Sequence, residues 1–326
     1  MKLSIIIINW NTADLLRACL STVMEATDSE LPDMCETIVV DNASADGSAE
    51  MVAKDFPFAR LIASAENLGF GGGNNLGYSR CSGEYVLLLN PDTELKPNTL
   101  STVTKFLEAN PTTAVVGVRQ TEVDGKLQES CGLFPSLRTM TIQNALGFLS
   151  RRGYVHSVRS IAGILGFPLM PVKGLTPLFD FKTIHEVDWV MGAFMLLRRR
   201  AIEQILADGQ QLFDERFVMY GEELDLCKRI TAKGWKVFFV PGGEILHHGG
   251  ASTAKISERA EAMRQVGMIR FYEKHNGPVD ALIYRGVLLL ANLVGWLFSP
   301  QGSEAKKKAV ARLKAAFYAT YDALPN

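Results

Sequence analysis

The sequence predicts an α/β fold: a mostly parallel sheet with helices on both faces, followed by a helical extension. Three observations carry that expectation. Apolar runs of strand length alternate with stretches of helical periodicity through the first half of the chain. Each run stops at a cluster of Asn, Asp or Gly, the residues that turn a strand into a helix. After Ser252 the strand signals cease, and the rest reads as helices, one apolar and one basic. At 326 residues, 47% of them apolar, the chain suits one catalytic domain with additions. Its formal net charge is −1, and no basic stripe with interleaved aromatics points to nucleic acid. Cys19, Cys35, Cys81, Cys131 and Cys227 are scattered without a C-x-x-C pair, which suits a reducing compartment and argues against a zinc ribbon or disulfide scaffold.

The elements follow in order. Leu3 to Ile8 reads as a first buried strand; its apolar run is too short for a secretory signal and meets Asn9 at once. Thr12 caps a helix carrying Leu15, Leu16, Cys19, Leu20 and Val23 at helical spacing. Thr37 to Val40 is a second strand, Ser48 to Lys54 a short helix, and Arg60 to Ala63 a third strand. A glycine-rich loop, Asn67 to Gly73, leads to a helix over Asn74 to Arg80. Tyr85 to Leu89 then runs straight into Asn90-Pro91-Asp92, so a buried strand delivers a lone carboxylate to a sheet edge. Pro97 starts the next helix, through Glu108, and Ala114 to Val118 is another strand before an Asp124-Gly125 hairpin turn. From Phe134 to Thr183 the pattern weakens into a loop with Arg138, Arg151, Arg152, Arg159 and Lys173. Order returns with Val187 to Arg198, helices from Arg200 and over Glu222 to Lys233, and strands Lys236 to Val240 and Glu244 to His248. In the tail, Ala281 to Phe298 is mostly apolar, interrupted by Arg285 and Asn292, and falls just short of the about 20 apolar residues a spanning helix needs. Glu304 to Tyr321 sets Lys306, Lys307, Lys308, Arg312 and Lys314 opposite Val310, Leu313, Ala316 and Phe317, the pattern of a membrane-surface helix.

Several polar clusters fall at strand ends or loops, where ligands of open α/β sheets bind. Asn9-Trp10-Asn11 follows the first strand. Asp41-Asn42-Ala43-Ser44 follows the second; Asp41 could accept from the imide of a pyrimidine base, or Asp41 and Ser44 could serve the turn and helix cap. The glycines of Asn67 to Asn75 would let backbone approach a phosphate or ring, but the string follows the third strand, whereas a dinucleotide fingerprint follows the first. Asp92 could hold a divalent ion against phosphate oxygens, or open the turn before Pro97. Glu222, Glu223 and Asp225 crowd one helix start; like-charge repulsion there raises at least one pKa and suits a general base. Asp225 and Arg229 are spaced i, i+4, as in a surface ion pair. Of the adjacent His247 and His248, at most one faces a site, and His247 is the candidate metal or diphosphate contact.

Taken in order, SIIIINWN, VVDNASADGS, NLGFGGGNNLG, LLLNPDTEL, VMGAFMLLRR, FDERFVMYGEELDLCKR and ILHHGGAST resemble the family 2 nucleotide-sugar glycosyltransferases of GT-A fold, and most closely its bacterial rhamnosyltransferases. The resemblance implies an inverting transfer of one sugar, L-rhamnose from dTDP-rhamnose, to a lipid-linked glycan at the cytoplasmic face of the inner membrane. Residues 1–120 would form the nucleotide-sugar half, 121–255 the acceptor half and 256–326 a membrane-surface anchor. Asn9, Trp10, Asn11, Asp41, Asn67, Gly71, Asn74, Asn90 and Asp92 would bind the donor, and Asp92 with His247 a Mg²⁺ or Mn²⁺ ion. Glu223 would be the base, with Glu222 or Asp225 as substitutes for it, and Trp189, Gly192, Ala193, Phe194 and Glu222 would face the acceptor. Two positions depart from the family: Asn90 replaces the first acid of Asp-x-Asp, and Glu223 stands where Asp is usual. The chain lacks the Q-x-x-R-W string of processive synthases, so a single addition is expected. A UDP-hexose donor and a non-catalytic sugar-nucleotide binder are the competing readings. A sugar-phosphate nucleotidyltransferase would need a glycine-rich basic signature after strand one, which NWNTADLLR lacks.

Overall fold

The structure is a computed structural model and describes residues 2–140, 181–217, 220–249, 257–300 and 303–318. Most of the weakly patterned stretch, with Arg151, Arg152, Arg159 and Lys173, lies outside the described residues, as does the end of the tail beyond residue 318. The first half runs β1 (Leu3–Asn9), α1 (Ala13–Glu30), β2 (Cys35–Asp41), α2 (Ser48–Asp55), β3 (Ala59–Ala63), α3 (Gly69–Tyr78), β4 (Tyr85–Leu89), β5 (Thr93–Leu95), α4 (Thr99–Ala109) and β6 (Thr113–Thr121). Then come β7 (Leu127–Gln128), β8 (Cys131–Gly132), β9 (His185–Val187), β10 (Trp189–Val190), β11 (Phe194–Arg198), α5 (Arg199–Leu206), α6 (Glu222–Ala232) and β12 (Lys236–His247). The extension is α7 (Ser257–His275), α8 (Pro278–Phe298) and α9 (Glu304–Tyr318).

Among the described residues a ten-stranded sheet runs β3-β2-β1-β4-β11-β6-β12-β5, with β7 on β6 and β9 on β12. The strands β3, β2, β1 and β4 are parallel, and Ile6 sits between Ile38 and Leu88. Burial on both faces explains why β1, β2 and β4 carry unbroken runs of Ile, Val and Leu, while the edge strand β3 is buried only at Ala59. β11 inserts antiparallel between β4 and β6, placing Phe194 beside Leu89 and Leu196 beside Val116. The sheet therefore reverses direction at its middle.

Four local readings change. The glycine string is not a loop: α3 begins at Gly69 and carries the glycines inside it. Glycine in a helix is costly unless close packing needs it. Here it does, because a Cβ on Gly73 would stand 2.7 Å from Ile8 Cγ2, and one on Gly77 2.5 Å from Ile6 Cγ2. The string lets the helix lie flat on β1, and the close approach is to the sheet. The helix after Pro97 starts at Thr99, behind Asn98 at φ 63°. The two C-terminal strands are one, β12, with its register against β6 broken between Val240 and Glu244. Finally, Asp225 and Arg229 form no surface pair; both are buried. Asp124-Gly125 does turn a hairpin, with Glu122 N–H donating to Lys126 O and Gly125 at φ +79°.

Replacing Gly77 with Ala should push α3 off β1 and cost about 1–3 kcal/mol, the usual penalty of overpacking. Equilibrium urea unfolding measures it, and an unchanged midpoint would refute this account of the glycine string.

Candidate active site

The carboxyl end of β4 is fixed from two sides. Asn90 N–H donates to Ala193 O at 3.0 Å, and Thr93 Oγ1 donates to Asn90 O at 2.7 Å. β12 closes the other side, pairing His247 with Thr93, and His248 N–H donates to Asp92 O at 2.9 Å. Asp92 is buried in this corner, with His247 Nε2 3.4 Å from its Oδ1. His247 Nδ1 lies 2.7 Å from Gln128 Oε1, while Gln128 Nε2 reaches the His247 carbonyl at 3.4 Å. That orientation makes the amide oxygen the partner of Nδ1 and leaves Nε2 on the Asp92 side of the ring. Gln128 had no signal in the sequence beyond its place after a hairpin. His248 turns the other way, to Glu94 Oε1 at 2.7 Å. Among the described residues no group of three or more His, Cys, Asp or Glu side chains is placed to hold a metal ion by itself. One carboxylate and one imidazole nonetheless suit a divalent cation whose other ligands come from diphosphate and water.

The loops after β1 and β2 are tied together by the residues expected to meet a nucleoside. Asn9 Nδ2 donates to Asp41 Oδ1 at 2.8 Å and to Ser44 Oγ at 3.1 Å. Ser44 N–H donates to Asp41 Oδ2 at 2.9 Å, and Asn11 Oδ1 accepts from Ala45 N–H at 2.8 Å. Asp41 thus serves the turn, with a further lone pair on each oxygen, and Trp10 stands open beside it, 41% exposed. Asn67 is exposed and its Oδ1 accepts from Gly69 N–H at 2.9 Å. Gly71 and Asn74 face the protein instead of a ligand. A Cβ on Gly71 would meet Phe213 Cβ at 3.3 Å, and buried Asn74 donates to Phe70 O at 2.9 Å. Neighbouring Asn75 has a larger structural part than expected: it accepts from Phe213 N–H at 2.9 Å and donates to Phe213 O at 3.0 Å, clamping α3 to the loop before α6.

On the other side, Trp189 is half-buried, donates from Nε1 to Leu133 O at 3.0 Å, and packs on the cluster of Phe217, Leu224 and Phe271. Gly192 lies against the Phe70 ring, 3.2 Å from its would-be Cβ. Ala193 and Phe194 are corrected: both side chains are in the core, and only the Ala193 carbonyl, on Asn90, serves this corner. The short segment Trp189 to Phe194 therefore touches both the Asp92 corner and the packing around α6.

The acidic turn opens at Tyr220 (φ 68°) and Gly221 (φ 98°), and its carboxylates differ sharply. Glu222 is buried, and among the described residues its Oε2 has no hydrogen-bond partner. Burial, then the neighbouring Glu223 charge, push its pKa well above the ordinary carboxylate value. Glu223 is part-exposed, and burial raises it too, opposed by backbone N–H groups of the helix start. Burial would also raise Asp225, but the hydrogen bond from His275 and the charges of Arg229 and Lys274 hold it below the usual range. An acid so held is a poor base and is spent on structure, which removes it from the alternatives to Glu223.

A domain model of Glycosyl transferase family 2 matches residues 4–160, the half that carries both nucleoside-side loops and Asp92. The chain carries that family's domain, with the GT-A fold, and is a glycosyltransferase. Among curated relatives it is 26% identical over 268 residues to the N-acetylglucosaminyl-diphospho-decaprenol L-rhamnosyltransferase of Mycobacterium tuberculosis, covering 78% of each chain. It is also 26% identical over 188 residues to rhamnosyltransferase WbbL of Escherichia coli, covering 55% of this chain and 61% of that one. Among solved structures, the mannosyltransferase PcManGT of Pyrobaculum calidifontis, bound to GDP-Man and Mn²⁺, aligns with a TM-score of 0.54 at 19% identity, over 97% of this chain and 75% of that chain. TarS residues 1-349 of S. aureus with UDP-GlcNAc aligns at 0.53 and 14% identity, over 100% and 82%. At such identities the likeness concerns the fold.

Glu222→Gln should stabilise the protein above acidic pH. Below the unfolded pKa both states hold the proton and the variant is neutral. As pH rises past it, the unfolded chain ionises while folded Glu222 resists, so the wild type loses stability until the raised folded pKa is passed. Thermal melts at pH 4 and pH 8 should show a gain for the variant only at the higher pH; a gap independent of pH would contradict the buried, protonated state.

Proposed function

We propose that this glycosyltransferase moves a single L-rhamnose from dTDP-rhamnose to a lipid-linked glycan, with inversion, at the cytoplasmic face of the inner membrane. The observation that supports the site reading is the Asp92–His247 pair with Gln128 holding the histidine ring from behind. The sugar and acceptor rest on the resemblance to relatives that carry rhamnosyltransferase names. On this reading residues 1–120 hold the donor, with Trp10 and Asn67 open to the nucleoside and Asp41 accepting from its base. Asn90 and Asp92 lie at the diphosphate. Asp92 and His247 would hold a Mg²⁺ or Mn²⁺ ion, which offsets the charge gathering on the leaving diphosphate. Residues 121–255 receive the acceptor between Trp189, Gly192 and the acidic turn.

Glu223 takes the proton of the acceptor hydroxyl. The freed oxygen pair attacks the anomeric carbon, and the bond to the diphosphate breaks with its electrons leaving on the nucleotide. The elevated pKa of Glu223 brings it toward the working pH, where a general base is most effective. Glu222, kept protonated, offers a hydrogen bond to the acceptor. Glu223→Gln should lower kcat by about 10²–10⁴-fold, with donor binding retained. Asp92→Ala should weaken donor binding in the presence of Mn²⁺. Turnover assays across nucleotide sugars decide the donor: activity with UDP-hexoses and none with dTDP-rhamnose would refute the sugar assignment.

Residues 256–326 carry the membrane reading. α8 is long and apolar enough to cross a bilayer, and it leaves Leu282 71%, Leu290 65% and Phe298 84% exposed. Each such side chain gains about 1.5–3 kcal/mol when fully buried. Beside it α9 carries Lys306, Lys307, Lys308, Arg312 and Lys314, suited to anionic headgroups. The full chain should float with vesicles of anionic lipid, and a Leu282→Glu, Leu290→Glu variant should stay behind. Equal partition of the two would rule out α8 as the anchor.

A further inference from the structure

We infer that Lys274 and His275, at the end of α7, are positioning residues for the base, so that the helical extension is part of the catalytic apparatus. This rests on reading the first turn of α6 as the base-bearing turn. Glu223 sits two residues before Asp225, whose side chain is wholly buried. Lys274 Nζ lies 2.6 Å from Asp225 Oδ1 and 2.7 Å from Asp214 Oδ2. One ammonium thus joins the start of the loop at Asp214 to the helix turn at Asp225, bracketing the stretch that carries Glu222 and Glu223. His275 Nε2 donates to the same Oδ1 at 2.7 Å. Arg229 holds Oδ2 at 2.7 Å and reaches back to Leu212 O at 2.7 Å.

The backbone of α7 presses on the same turn. A Cβ on Gly221 would stand 3.3 Å from Gly267 O. Arg264 stacks over the Tyr220 ring at 5.0 Å, and Phe271 packs with Phe217 and Leu224. α6 cannot settle its first turn without α7, because Asp225 would be a buried charge lacking two of the three side chains that donate to it. A base must lie within hydrogen-bond reach of its proton, so a small shift of this turn acts on the chemical step more than on donor binding.

The test uses the full chain with dTDP-rhamnose as donor, reading kcat and KM per folded molecule, and hydrogen exchange of the Gly221–Leu226 amides. Lys274→Met and His275→Ala should each lower kcat by about tenfold or more, leave the KM for donor within about twofold, and speed exchange across that turn. Lys274→Arg and His275→Gln, which restore the charge or the donor, should recover turnover and protection. Unchanged exchange in the Met and Ala variants, unchanged kcat, or a loss that the conservative variants do not repair overturns the inference. Glu223→Gln is run beside them. If it alone abolishes turnover, the base assignment stands and only the positioning role falls; if it keeps full turnover, the base assignment fails and this inference with it.

Discussion

The reversal of strand direction at β11 is the constraint from which the site follows. A parallel β1–β4 pair delivers Asn90 and Asp92 to one edge of the sheet, as any doubly wound half would. An antiparallel neighbour must enter at the edge where β4 leaves, so Trp189 to Ala193 arrive beside Asn90 and are bolted there by the Ala193 carbonyl. Had β11 been parallel, that segment would stand at the far edge. The same reversal lets β12, parallel to β6, end at Thr93 and set His247 against Asp92. The Asp92 corner and the Trp189–Ala193 wall beside it are consequences of one hydrogen-bonding choice.

Within one turn of α6 three carboxylates take three electrostatic states. Asp225 is buried and fully paired, and removing one partner from such a charge costs about 3–5 kcal/mol. Glu222 is buried and unpaired, a state tolerable only with its proton on. Glu223 lies between, part-exposed and raised by burial. The helix dipole favours all three anions by about 0.3–1 kcal/mol each, too little to choose among them. What separates them is tertiary: Lys274 and His275 of α7 reach Asp225, while Glu222 Oε2 meets no donor among the described residues.

β1, β2, β4 and β6 were legible because each is buried on both faces over a long apolar run. The Asp124-Gly125 turn and the acidic helix start were legible for local reasons of turn and cap chemistry. The glycine string misled because Gly reads as a loop when only sequence neighbours are considered; its need is set by Ile6 and Ile8, on a strand some sixty residues earlier. Asp225 misled in the same way. The i, i+4 spacing to Arg229 was right, but Lys274 and His275, which bury it, are far along the chain. Ala193 and Phe194 looked like site residues because their backbone is near the site, while the sheet there is covered on both faces and buries both side chains. Gln128 was invisible, since nothing local distinguishes a ring-holding amide from any hairpin Gln.

Glu in place of the usual Asp at position 223 fits this arrangement. A longer side chain reaches further from the helix but has more rotamers, so it needs firmer support beneath it to keep one geometry. The turn supplies that support through its backbone: Tyr220 and Gly221 are both at positive φ, and Gly221 is wedged between Phe217 and the Gly267 carbonyl. A side chain at 221 would be strained by its dihedral angle and by contact on two sides. On the catalytic reading, the extra methylene of Glu223 is compensated by α7, whose backbone and cations leave the turn one place to sit. An extension that only tethered the enzyme to lipid would have no reason to spend Gly267, Lys274 and His275 on the far side of the acidic helix.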